Sequence, residues 1–358
     1  MNVVGLDVGG ANIKVAFIES EQTPPLTIRT VNVFFPLWIK GKKNLKHAVQ
    51  DAVLKIVKNR KVDVVGVTMT AEVSDVYFTK EEGVNHVLDC VQRIFSSTPI
   101  FVLDVEGNLL PVEEARRKPY KVASANWMAT GWLVSRFTVN SMVVDVGSTT
   151  TDVIPIVNHQ VVVRGKTDLE RLAYDELIYT GILRTNLSTI TNIVPIGKKF
   201  VRVSSEFFAS TGDVHLVLGN LKKEEYTTET ADGRGKSKRE AMARIARIVC
   251  ADLKMLDEKK IKKISRFIYV RQIKQVAEAL KNVYNRTHKT PKKELSIVVT
   301  GIGKKILAEK AAKEAGFRNI VDIEKLTKLK ISENTPAAAL TLMVLNRLER
   351  GKNLWMQS

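Results

Sequence analysis

The sequence predicts an α/β protein made of two similar lobes, each with a mixed sheet, that close on a central cleft. Two stretches of the chain support this prediction, because each reads as an apolar strand, an aspartate, a valine, a glycine turn and a second strand. They are residues 3–14, which contain Asp7, and residues 143–152, which contain Asp145. Each stretch begins three meandering strands that are followed by a helical pattern. Such an internal duplication is a property of the whole fold rather than of one local motif.

The other elements are predicted from the spacing of apolar residues and from flanking signals. Helices are expected at residues 45–57, 84–95, 123–132, 170–183, 237–256, 304–315 and 335–348, and strands at residues 62–69, 99–104 and 295–300. Ser237 and Glu240 have the spacing of a capping box, and Gly316 stands where a helix would stop. The charged run 257–263 reads as a solvated surface or a loop.

The chain of 358 residues is long enough for two such lobes. The first lobe is expected to cover residues 1–121 and to be joined by the closing helix at 335–350. The second lobe is expected to cover residues 122–334, with an elaboration at about 190–290.

Composition limits the class of protein. Hydrophobic residues make up 44% of the chain and charged residues 26%, which is ordinary for a globular protein with a sizeable core. Cys90 and Cys250 support neither a disulfide framework nor a zinc site. The first residues lack a signal-peptide pattern, and no apolar run approaches the roughly 20 residues of a membrane helix. We therefore expect a cytoplasmic protein with no membrane partner, and a homo-oligomer is possible.

The formal charge of +18 admits two interpretations. One is nucleic-acid binding, and the other is a basic proteome or a cationic surface that attracts small anionic substrates. The lysines come as scattered pairs, not as one patch with interleaved aromatic residues. We therefore expect anionic small molecules as partners and no nucleic acid.

The two glycine turns have the composition of an anion-binding site. Glycine permits close backbone approach and positive φ, and exposed N–H groups and hydroxyls form a concavity for anions. Asp7 and Asp145 stand at strand ends, where each can hold a hydrated Mg²⁺ or can instead cap its own turn. A third strand–glycine–helix junction, at Gly301 and Gly303, would place a helix N-terminus near an anion or a ring.

These features resemble the actin/Hsp70/sugar-kinase superfamily, which has a ribonuclease H-like fold, and within it the hydantoinase/oxoprolinase-like proteins. Further segments resemble a narrower archaeal family linked to one-carbon metabolism on tetrahydromethanopterin, and the resemblance covers nearly the whole chain. The segments are residues 35–38, 67–75, 123–127, 176–185, 210–215 and 230–233. One departure is Ser148, because the wider superfamily often has a second glycine there. Contact with a phosphate at this turn can therefore be made by a side chain.

The narrower family includes an enzyme of methanofuran biosynthesis, and the resemblance implies that this chain catalyses the same reaction. An aminomethyl-furan-methyl diphosphate is joined to γ-glutamyltyramine through an ether bond, and diphosphate is released. The implied cofactor is Mg²⁺, and ATP is not required although the fold is kinase-like. One alternative is an ATP-dependent kinase or a hydantoinase/oxoprolinase-like hydrolase that binds ATP at residues 301–304. A sugar-kinase-like transcriptional regulator is another, but we expect no room for a DNA-binding module before Asp7 or after Gly351.

The implied reaction requires a stabilised leaving group, a base for the phenol and alignment of the reactants. Contacts with the diphosphate are predicted in the first turn at Gly9, Gly10, Asn12 and Lys14, and in the second turn at Gly147, Ser148, Thr149 and Thr150, with Gly301 and Gly303 from the third junction. Lys14 is the natural point charge, unless it extends from an exposed strand into water.

Glu72 and Asp75 are the candidates for the base, because they follow an apolar strand in a polar loop. The same loop also suits a helix N-terminus, where Asp75 would be a cap, and both readings stay open. Arg184 can hold the glutamyl carboxylate through its guanidinium fork or form a surface ion pair. Asp213 and His215 would share one face of a strand, either as a metal or acid–base pair or as ordinary hydrogen-bonding residues.

Overall fold

The computed structural model describes residues 1–19 and 27–349 of the chain. Its strands are β1 (Asn2–Val8), β2 (Asn12–Glu19), β3 (Ile28–Phe34), β4 (Val64–Met69), β5 (Ile100–Leu103), β6 (Leu109–Pro111), β7 (Ser141–Val146), β8 (Thr151–Val157), β9 (Gln160–Val161), β10 (Leu177–Ile178), β11 (Ile193–Ile196), β12 (Lys199–Arg202), β13 (Ser296–Thr300) and β14 (Ile320–Asp322). Its helices are α1 (Leu37–Lys40), α2 (Leu45–Val57), α3 (Lys80–Ile94), α4 (Val112–Arg117), α5 (Pro119–Val122), α6 (Asn126–Ser135), α7 (Asp168–Ala173), α8 (Thr211–Leu218), α9 (Lys238–Arg247), α10 (Glu258–Thr287), α11 (Glu309–Glu314), α12 (Ile323–Thr327) and α13 (Thr335–Leu348).

The first sheet has the strand order β3-β2-β1-β4-β5-β6. Antiparallel pairing of β1 with β2 and of β2 with β3 gives the predicted meander. The neighbouring strands β1, β4 and β5 are parallel. Parallel strands are usually covered on both faces and therefore read as continuous apolar runs. Every residue of β4 is buried, in agreement with this rule.

The second sheet has the strand order β10-β8-β7-β13-β14, and β9 also pairs with β8. Strands β7 and β8 are neighbours, as β1 and β2 are in the first sheet, and β13 lies on the other side of β7, where the first sheet has β4. The strand order of the first sheet is thus repeated. The predicted duplication of a mixed α/β sheet is confirmed.

The described residues form two compact units. One contains the described residues of Met1–Val143, Ile154–Tyr174 and those from Val321 onward, and the other contains Val144–Val153 and Asp175–Ile320. These bounds differ from the predicted boundaries at residues 121 and 334. Helix α6 belongs to the first unit because it packs on the closing helix α13, and no sequence pattern near residue 121 signals that contact. The predicted end of the closing helix, at residue 350, lies outside the described residues.

Two glycines let the closing helix approach the first sheet. Gly5 in β1 and Gly66 in β4 are register partners, and α13 contacts both strands. A Cβ at Gly5 would overlap the Thr341 hydroxyl, and a Cβ at Gly66 would lie 3.0 Å from the Leu340 side chain. The absence of both Cβ atoms therefore makes room for α13 against the sheet.

The side chains of β1 point alternately to the two faces of the sheet, and this alternation places Asp7 on one of them. Successive strand residues point to opposite faces, and Val4, Leu6 and Val8 belong to the apolar cluster that also contains residues of α2 and α3. Asp7 therefore shares the opposite face with Gly5, which is the face covered by α13. The carboxylate lies near the carboxyl end of β1, one residue before the strand ends.

Several local predictions are confirmed. Helices α2 and α13 have the predicted bounds 45–57 and 335–348. Helix α3 begins at Lys80, four residues earlier than predicted, because the Thr79 side chain accepts the Glu82 amide and caps it there. Gly316 follows α11 with a φ of +94°, as expected for a glycine that ends a helix.

The charged segment after α9 is a solvated surface, one of its two predicted readings, but the helix before it ends earlier than predicted. The Ser237–Glu240 capping box is present, but the helix ends at Arg247 instead of residue 256. The charged residues of the run 257–263 are exposed, as expected for a solvated surface. The run is not a loop, because the Asp257 side chain accepts the Lys260 amide and starts the 30-residue helix α10. A side-chain cap therefore starts a helix within this charged run.

Three other segments also differ from their predictions. The helix expected at 170–183 is the short α7, which is followed by β10. The helix expected at 304–315 begins as a π-helical turn at Lys304–Ala308 before α11. Asp213 and His215 lie in α8 and not in a strand, so they do not share the strand face that a pair at i, i+2 would require.

In the part of the chain that the structure describes, no helix has both the length and the apolar composition needed to cross a bilayer. Cys90 is buried, Cys250 is exposed, and both are free thiols.

Candidate active site

A row of polar side chains crosses the first sheet at the carboxyl ends of β1 and β4. Asp7 is the register partner of Lys14 on β2 and of Thr68 on β4. Register partners on adjacent strands project from the same face and interact, so these three side chains are neighbours. Asp7 and Thr68 are buried, with 3% and 0% exposure, whereas Lys14 is partly exposed.

The Asp7 carboxylate has one oxygen paired with a cation and one oxygen without a partner. Lys14 Nζ lies 3.3 Å from Asp7 Oδ2. Asp7 Oδ1 and Thr68 Oγ1 are buried and have no hydrogen-bond partner among the described residues. An unsatisfied buried polar atom costs about 1–3 kcal/mol, so the pair indicates a place where a ligand or water completes the site. Lys14 pairs with Asp7 rather than extending into water.

The first turn joins β1 to β2. The Gly9 amide donates to the Asn12 carbonyl at 2.9 Å, and a Cβ at Gly9 would lie 2.8 Å from the same oxygen. Close approach therefore requires glycine at this position. Positive φ, the other expected reason for glycine, occurs at neither Gly9 nor Gly10. The Gly10 carbonyl accepts the Leu37 amide at 2.8 Å, which ties the turn to α1.

The second turn, in the second unit, is closed in the same way. The Gly147 amide donates to the Thr150 carbonyl at 2.9 Å. The Ser148 carbonyl accepts the Arg184 amide at 3.0 Å, and Arg184 Nη1 donates to Thr149 Oγ1 at 3.2 Å. The segment after β10 therefore packs against this turn, and the Arg184 guanidinium lies beside the turn's hydroxyls.

Gly181 allows this segment to pack closely on the second turn, and Arg184 gives it a positive charge. A Cβ at Gly181 would lie 2.5 Å from the Thr149 amide nitrogen, so only glycine allows the segment to lie on the turn. Burial lowers the pKa of the Arg184 guanidinium, but arginine stays protonated in proteins. A partly buried permanent cation beside a hydroxyl-rich turn is suited to a carboxylate or a phosphate.

Gly301 and Gly303 follow β13 and meet the strand that carries Asp145. Gly301 has a φ of +83°, and a Cβ there would overlap the Val146 carbonyl and lie 2.6 Å from Asp145 Oδ1. The Gly303 amide donates to the Val146 carbonyl at 3.0 Å. Within the second unit, the structure therefore brings together Asp145, the second turn and the third glycine junction.

Glu72 lies in a 3₁₀ turn directly after β4 and is 2% exposed. Its Oε1 is 2.6 Å from Ser124 Oγ, which is also 2.7 Å from Asp168 Oδ2. Lys80 Nζ is 2.7 Å from the same Asp168 oxygen. Burial raises the pKa of the Glu72 carboxyl and outweighs the Lys80 charge, which lowers it.

Asp75, the other predicted base, is exposed, and its carboxylate is 3.4 Å from the Ser74 hydroxyl. Thr79 and not Asp75 provides the side-chain cap of α3. A buried carboxyl with a raised pKa is better poised to take a proton from a phenol than an exposed one. Glu72 is therefore the stronger candidate of the two.

Asp213 and His215 have packing partners inside the second unit. Asp213 belongs to a capping box with Ser210 and lies 2.8 Å from Arg244 in a fully buried ion pair. His215 is buried, and burial lowers its pKa to about 4. The ring of His215 meets the Tyr269 ring edge to face at 5.2 Å between centroids. These contacts support a structural role for both residues.

Comparison with known proteins decides the family. The model of the hydantoinase/oxoprolinase family matches residues 63–343, which is most of the chain. The chain belongs to the hydantoinase/oxoprolinase family. It is also 34% identical over 349 residues to the (4-{4-[2-(gamma-L-glutamylamino)ethyl]phenoxymethyl}furan-2-yl)methanamine synthase of Methanocaldococcus jannaschii, covering 97% of this chain and 99% of that protein. A protein of the same name from Methanococcus vannielii is 36% identical over 216 residues, covering 60% of this chain and 95% of that protein.

This hydantoinase/oxoprolinase family member also has a structural neighbour. The nucleotide-free structure of acetone carboxylase superposes with a TM-score of 0.55 at 9% identity, over 95% of this chain and 70% of that chain. At this identity the likeness concerns the fold alone. Together with the repeated strand order, it confirms the predicted duplicated fold class of the actin/Hsp70/sugar-kinase type.

Whether this hydantoinase/oxoprolinase chain can bind Mg²⁺ depends on which side chains are available as ligands. Across residues 1–19 and 27–349, no three His, Cys, Asp or Glu side chains are grouped to hold a metal ion. Mg²⁺ is, however, commonly bound through one or two carboxylates, with waters and substrate phosphates as the other ligands. The unpartnered Oδ1 of Asp7 suits a carboxylate of that kind. Asp7 would therefore hold the ion in the first unit, and Asp145 has the equivalent position in the second.

The sequence did not indicate the partners of Glu72. Ser124 lies in the segment 123–127 that resembles the narrower family, but its φ of +50° and its bridging hydroxyl have no sequence signature. Asp168 is 44 residues beyond Ser124, and no motif spacing connects them. Lys80 lies before the helix predicted at 84–95, and no motif singles it out.

Proposed function

We propose that this protein forms the ether bond in the product for which its relatives are named. Their name describes a phenyl ring joined through an oxygen and a methylene to an aminomethylfuran, with a glutamyl group on the phenyl side. The observation that supports the proposal is the 34% identity over 97% of this chain and 99% of the M. jannaschii protein. A similarity of that extent covers both compact units, and it therefore supports a shared reaction as well as a shared fold.

The proposed substrates are (5-(aminomethyl)furan-3-yl)methyl diphosphate and γ-glutamyltyramine. The phenol oxygen forms a bond to the methylene carbon, and the bond between that carbon and the diphosphate oxygen breaks with its electron pair. The phenol proton passes to a base, which is needed because an unperturbed phenol has a pKa of about 10. ATP is not consumed, because diphosphate is already a good leaving group. Both substrates are charged and water-soluble, so we place the reaction in the cytoplasm.

In the first unit, we assign the leaving diphosphate to the first turn and Lys14. Lys14 supplies a positive charge, and the Gly10 amide and the Asn12 side chain can donate to phosphate oxygens as negative charge develops. The Gly9 amide closes the turn by donating to the Asn12 carbonyl, so Gly9 shapes the turn. The unpartnered oxygen of Asp7 supports a role in holding Mg²⁺ through water. When bound, Mg²⁺ would neutralise charge on the leaving diphosphate.

In the second unit, the second turn and Arg184 form a group suited to an anionic part of a substrate. The hydroxyls of Ser148, Thr149 and Thr150 are donors on a turn that lacks bulky side chains. Arg184 lies on that turn, and its planar fork matches the carboxylate of the glutamyl group. Mutation of Arg184 is therefore expected to affect γ-glutamyltyramine more than the furan substrate.

Glu72 is the proposed acceptor of the phenol proton. Its Oε2 is buried and without a hydrogen-bond partner among the described residues, so it has a lone pair available for a substrate. Burial raises its pKa, so this carboxyl holds a proton more readily than an exposed one. Glu72→Gln keeps the shape of the side chain, removes the base, and is expected to reduce kcat by about 10²–10⁴-fold.

A second candidate function is an ATP-dependent hydrolase, and the family match supports it. In that case, the glycine junction at Gly301 and Gly303 would contact a nucleotide. The two candidates differ in their need for ATP and in the product that is formed.

One assay separates these candidates. The purified protein is incubated with Mg²⁺, the furan diphosphate and γ-glutamyltyramine, with and without ATP, and the products are identified by mass spectrometry. We expect the coupled ether and free diphosphate in equal amounts, without any ATP requirement. Absence of the ether, together with ATP consumption, would overturn the proposal in favour of the hydrolase.

A further inference from the structure

One hydroxyl lies between two carboxyl groups in the first unit. Ser124 Oγ is 2.6 Å from Glu72 Oε1 and 2.7 Å from Asp168 Oδ2, both of which are hydrogen-bond distances. A serine hydroxyl has a single proton to donate, and ionised carboxylates are acceptors only. Two ionised carboxylates would therefore leave one of these short contacts without a proton. One carboxyl of the pair must carry its own proton and donate it to Ser124.

The surroundings decide which carboxyl is protonated. Asp168 is partly exposed, and Lys80 Nζ lies 2.7 Å from its Oδ2. A cation and water therefore compensate the charge of a carboxylate at this position. Glu72 is almost completely buried, its Oε2 has no hydrogen-bond partner among the described residues, and burial raises its pKa. The proton therefore belongs to Glu72, and the chain of donation runs from Glu72 to Ser124 to Asp168.

The backbone at Ser124 is held in an uncommon conformation to make this bridge. Its φ is +50°, a region that residues other than glycine, asparagine and aspartate rarely occupy. A glycine there would relieve the strain but would have no hydroxyl. The backbone of α3 also packs closely against Glu72 at Gly83, where an added Cβ would lie 2.5 Å from the Glu72 Cα. Strain of this kind is a reason to look for a function.

We infer that Glu72, Ser124 and Asp168 form a proton relay in which Glu72 rests as a carboxylic acid and exchanges its proton with water through Asp168. The inference rests on the proposed function for its direction during turnover. The phenol proton arrives at Glu72 Oε2, the proton of Oε1 passes to Ser124, and the Ser124 proton passes to Asp168. Each of Glu72 and Ser124 gains one proton and loses one, so Asp168 carries the net proton and releases it to solvent.

The charged groups around the relay agree with this direction. The charge of Lys80 lowers the pKa of the Glu72 carboxyl, and the charge of Asp168 raises it. Tyr77 also faces Glu72, but burial raises the pKa of its hydroxyl, so it stays neutral and does not compete for the proton. Asp168 is partly exposed, so a proton that reaches it can pass to solvent. Ser124 and Asp168 are therefore positioning residues that act through Glu72.

Infrared spectroscopy of the full-length protein tests where the proton resides. At neutral pH, the wild type is expected to show a carboxylic-acid C=O band that Glu72→Gln removes. Ser124→Gly, which fits the positive φ and should fold, is expected to keep the band but shift it, because the acid loses its acceptor. The exposed carboxylate variant Asp51→Asn is the control and leaves the band unchanged. If Glu72→Gln removes no such band, Glu72 is ionised and the relay is wrong.

Kinetics provides the second test. Ser124→Gly is expected to lower kcat by up to about 10²-fold, the lower end of a general-base contribution, and to leave the KM for the furan diphosphate unchanged. An unchanged kcat would overturn the relay even if the infrared band is present. If the wild type forms no ether at all, the proposed function fails, whereas the infrared band still reports on the proton at Glu72. The two failures are therefore distinguishable.

Discussion

Lys14 and Asp7 are cross-strand partners whose charged groups lie 3.3 Å apart. Asp7 is almost completely buried on the face of the sheet that α13 covers, and a buried carboxylate is costly without a cation beside it. Lys14 provides that cation. Because Lys14 is also the proposed ligand of the diphosphate, it links the stability of the first turn to binding of the substrate.

Replacement of Lys14 by methionine tests the role of its charge. We expect kcat/KM for the furan diphosphate to fall by about 10²-fold or more, the usual effect of losing one donor to a developing negative charge. Steady-state assays with varied furan diphosphate measure it. Lys55→Met, at an exposed position of α2, is the matched control and should keep full activity. An unchanged kcat/KM in Lys14→Met would mean that the diphosphate binds elsewhere.

Removal of divalent cations tests the metal site. EDTA is expected to abolish ether formation, and added Mg²⁺ is expected to restore it. In Asp7→Asn, the Mg²⁺ concentration for half-maximal activity should rise by about 10–100-fold. Metal affinity typically falls by that factor when a residue that supports a metal site is replaced. Asp51→Asn, an exposed carboxylate of α2, should not change it. Full activity in EDTA would contradict the assignment of Mg²⁺.

Two glycines with positive φ provide a matched test of packing in the second unit. Gly301 and Gly316 have φ values of +83° and +94°, but only a Cβ at Gly301 would meet Val146 and Asp145. Gly316→Ala should cost about 1–2 kcal/mol, the strain of the conformation alone. Gly301→Ala should cost more, because the overlap with the Val146 carbonyl is added to the same strain. Urea unfolding measures the loss of unfolding free energy in both variants. Equal losses would show that the backbone around Gly301 shifts to accommodate a Cβ at little cost.

The raised pKa of Glu72 predicts a pH-dependent stability. Between the ordinary pKa of a glutamate and the raised one, the folded protein binds more protons than the unfolded chain, so stability falls as pH rises. The contribution is complete below the ordinary pKa and is lost as pH passes through the raised pKa. Glu72→Gln cannot titrate at this position, so the wild type should lose stability relative to the variant as pH increases. A constant difference in unfolding free energy across that range would contradict the raised pKa.

The sequence predicted the features that depend on short-range patterns. The helical spacing of 45–57 and 335–348 reproduces α2 and α13, and the repeated Asp-Val-Gly pattern anticipated two turns closed by equivalent hydrogen bonds. These features are local, because one strand, one turn and one apolar stripe are enough to specify each. The same patterns led to Gly9 and Gly301, where the structure leaves no room for a Cβ, and to Gly147, where a Cβ would lie 3.4 Å from the Thr150 carbonyl oxygen.

Other features depend on contacts between distant residues. The bridge from Glu72 through Ser124 to Asp168 spans separations of 52 and 44 residues, and the positive φ of Ser124 is imposed by its surroundings. Helix α10 was missed because its first residues are nearly all charged. Its start is set by the Asp257 cap, and its packing is set by the buried residues Ile261 and Ile264. In each case, tertiary contacts override the local preference.

The central claim is that the phenol oxygen displaces diphosphate from carbon. The most direct test uses γ-glutamyltyramine labelled with ¹⁸O in the phenol, together with the furan diphosphate, Mg²⁺ and no ATP, and locates the label by mass spectrometry. The account predicts that all of the label is found in the ether product and that the released diphosphate is unlabelled. Label in the diphosphate, or a product without label, would show that another bond breaks and would contradict the account.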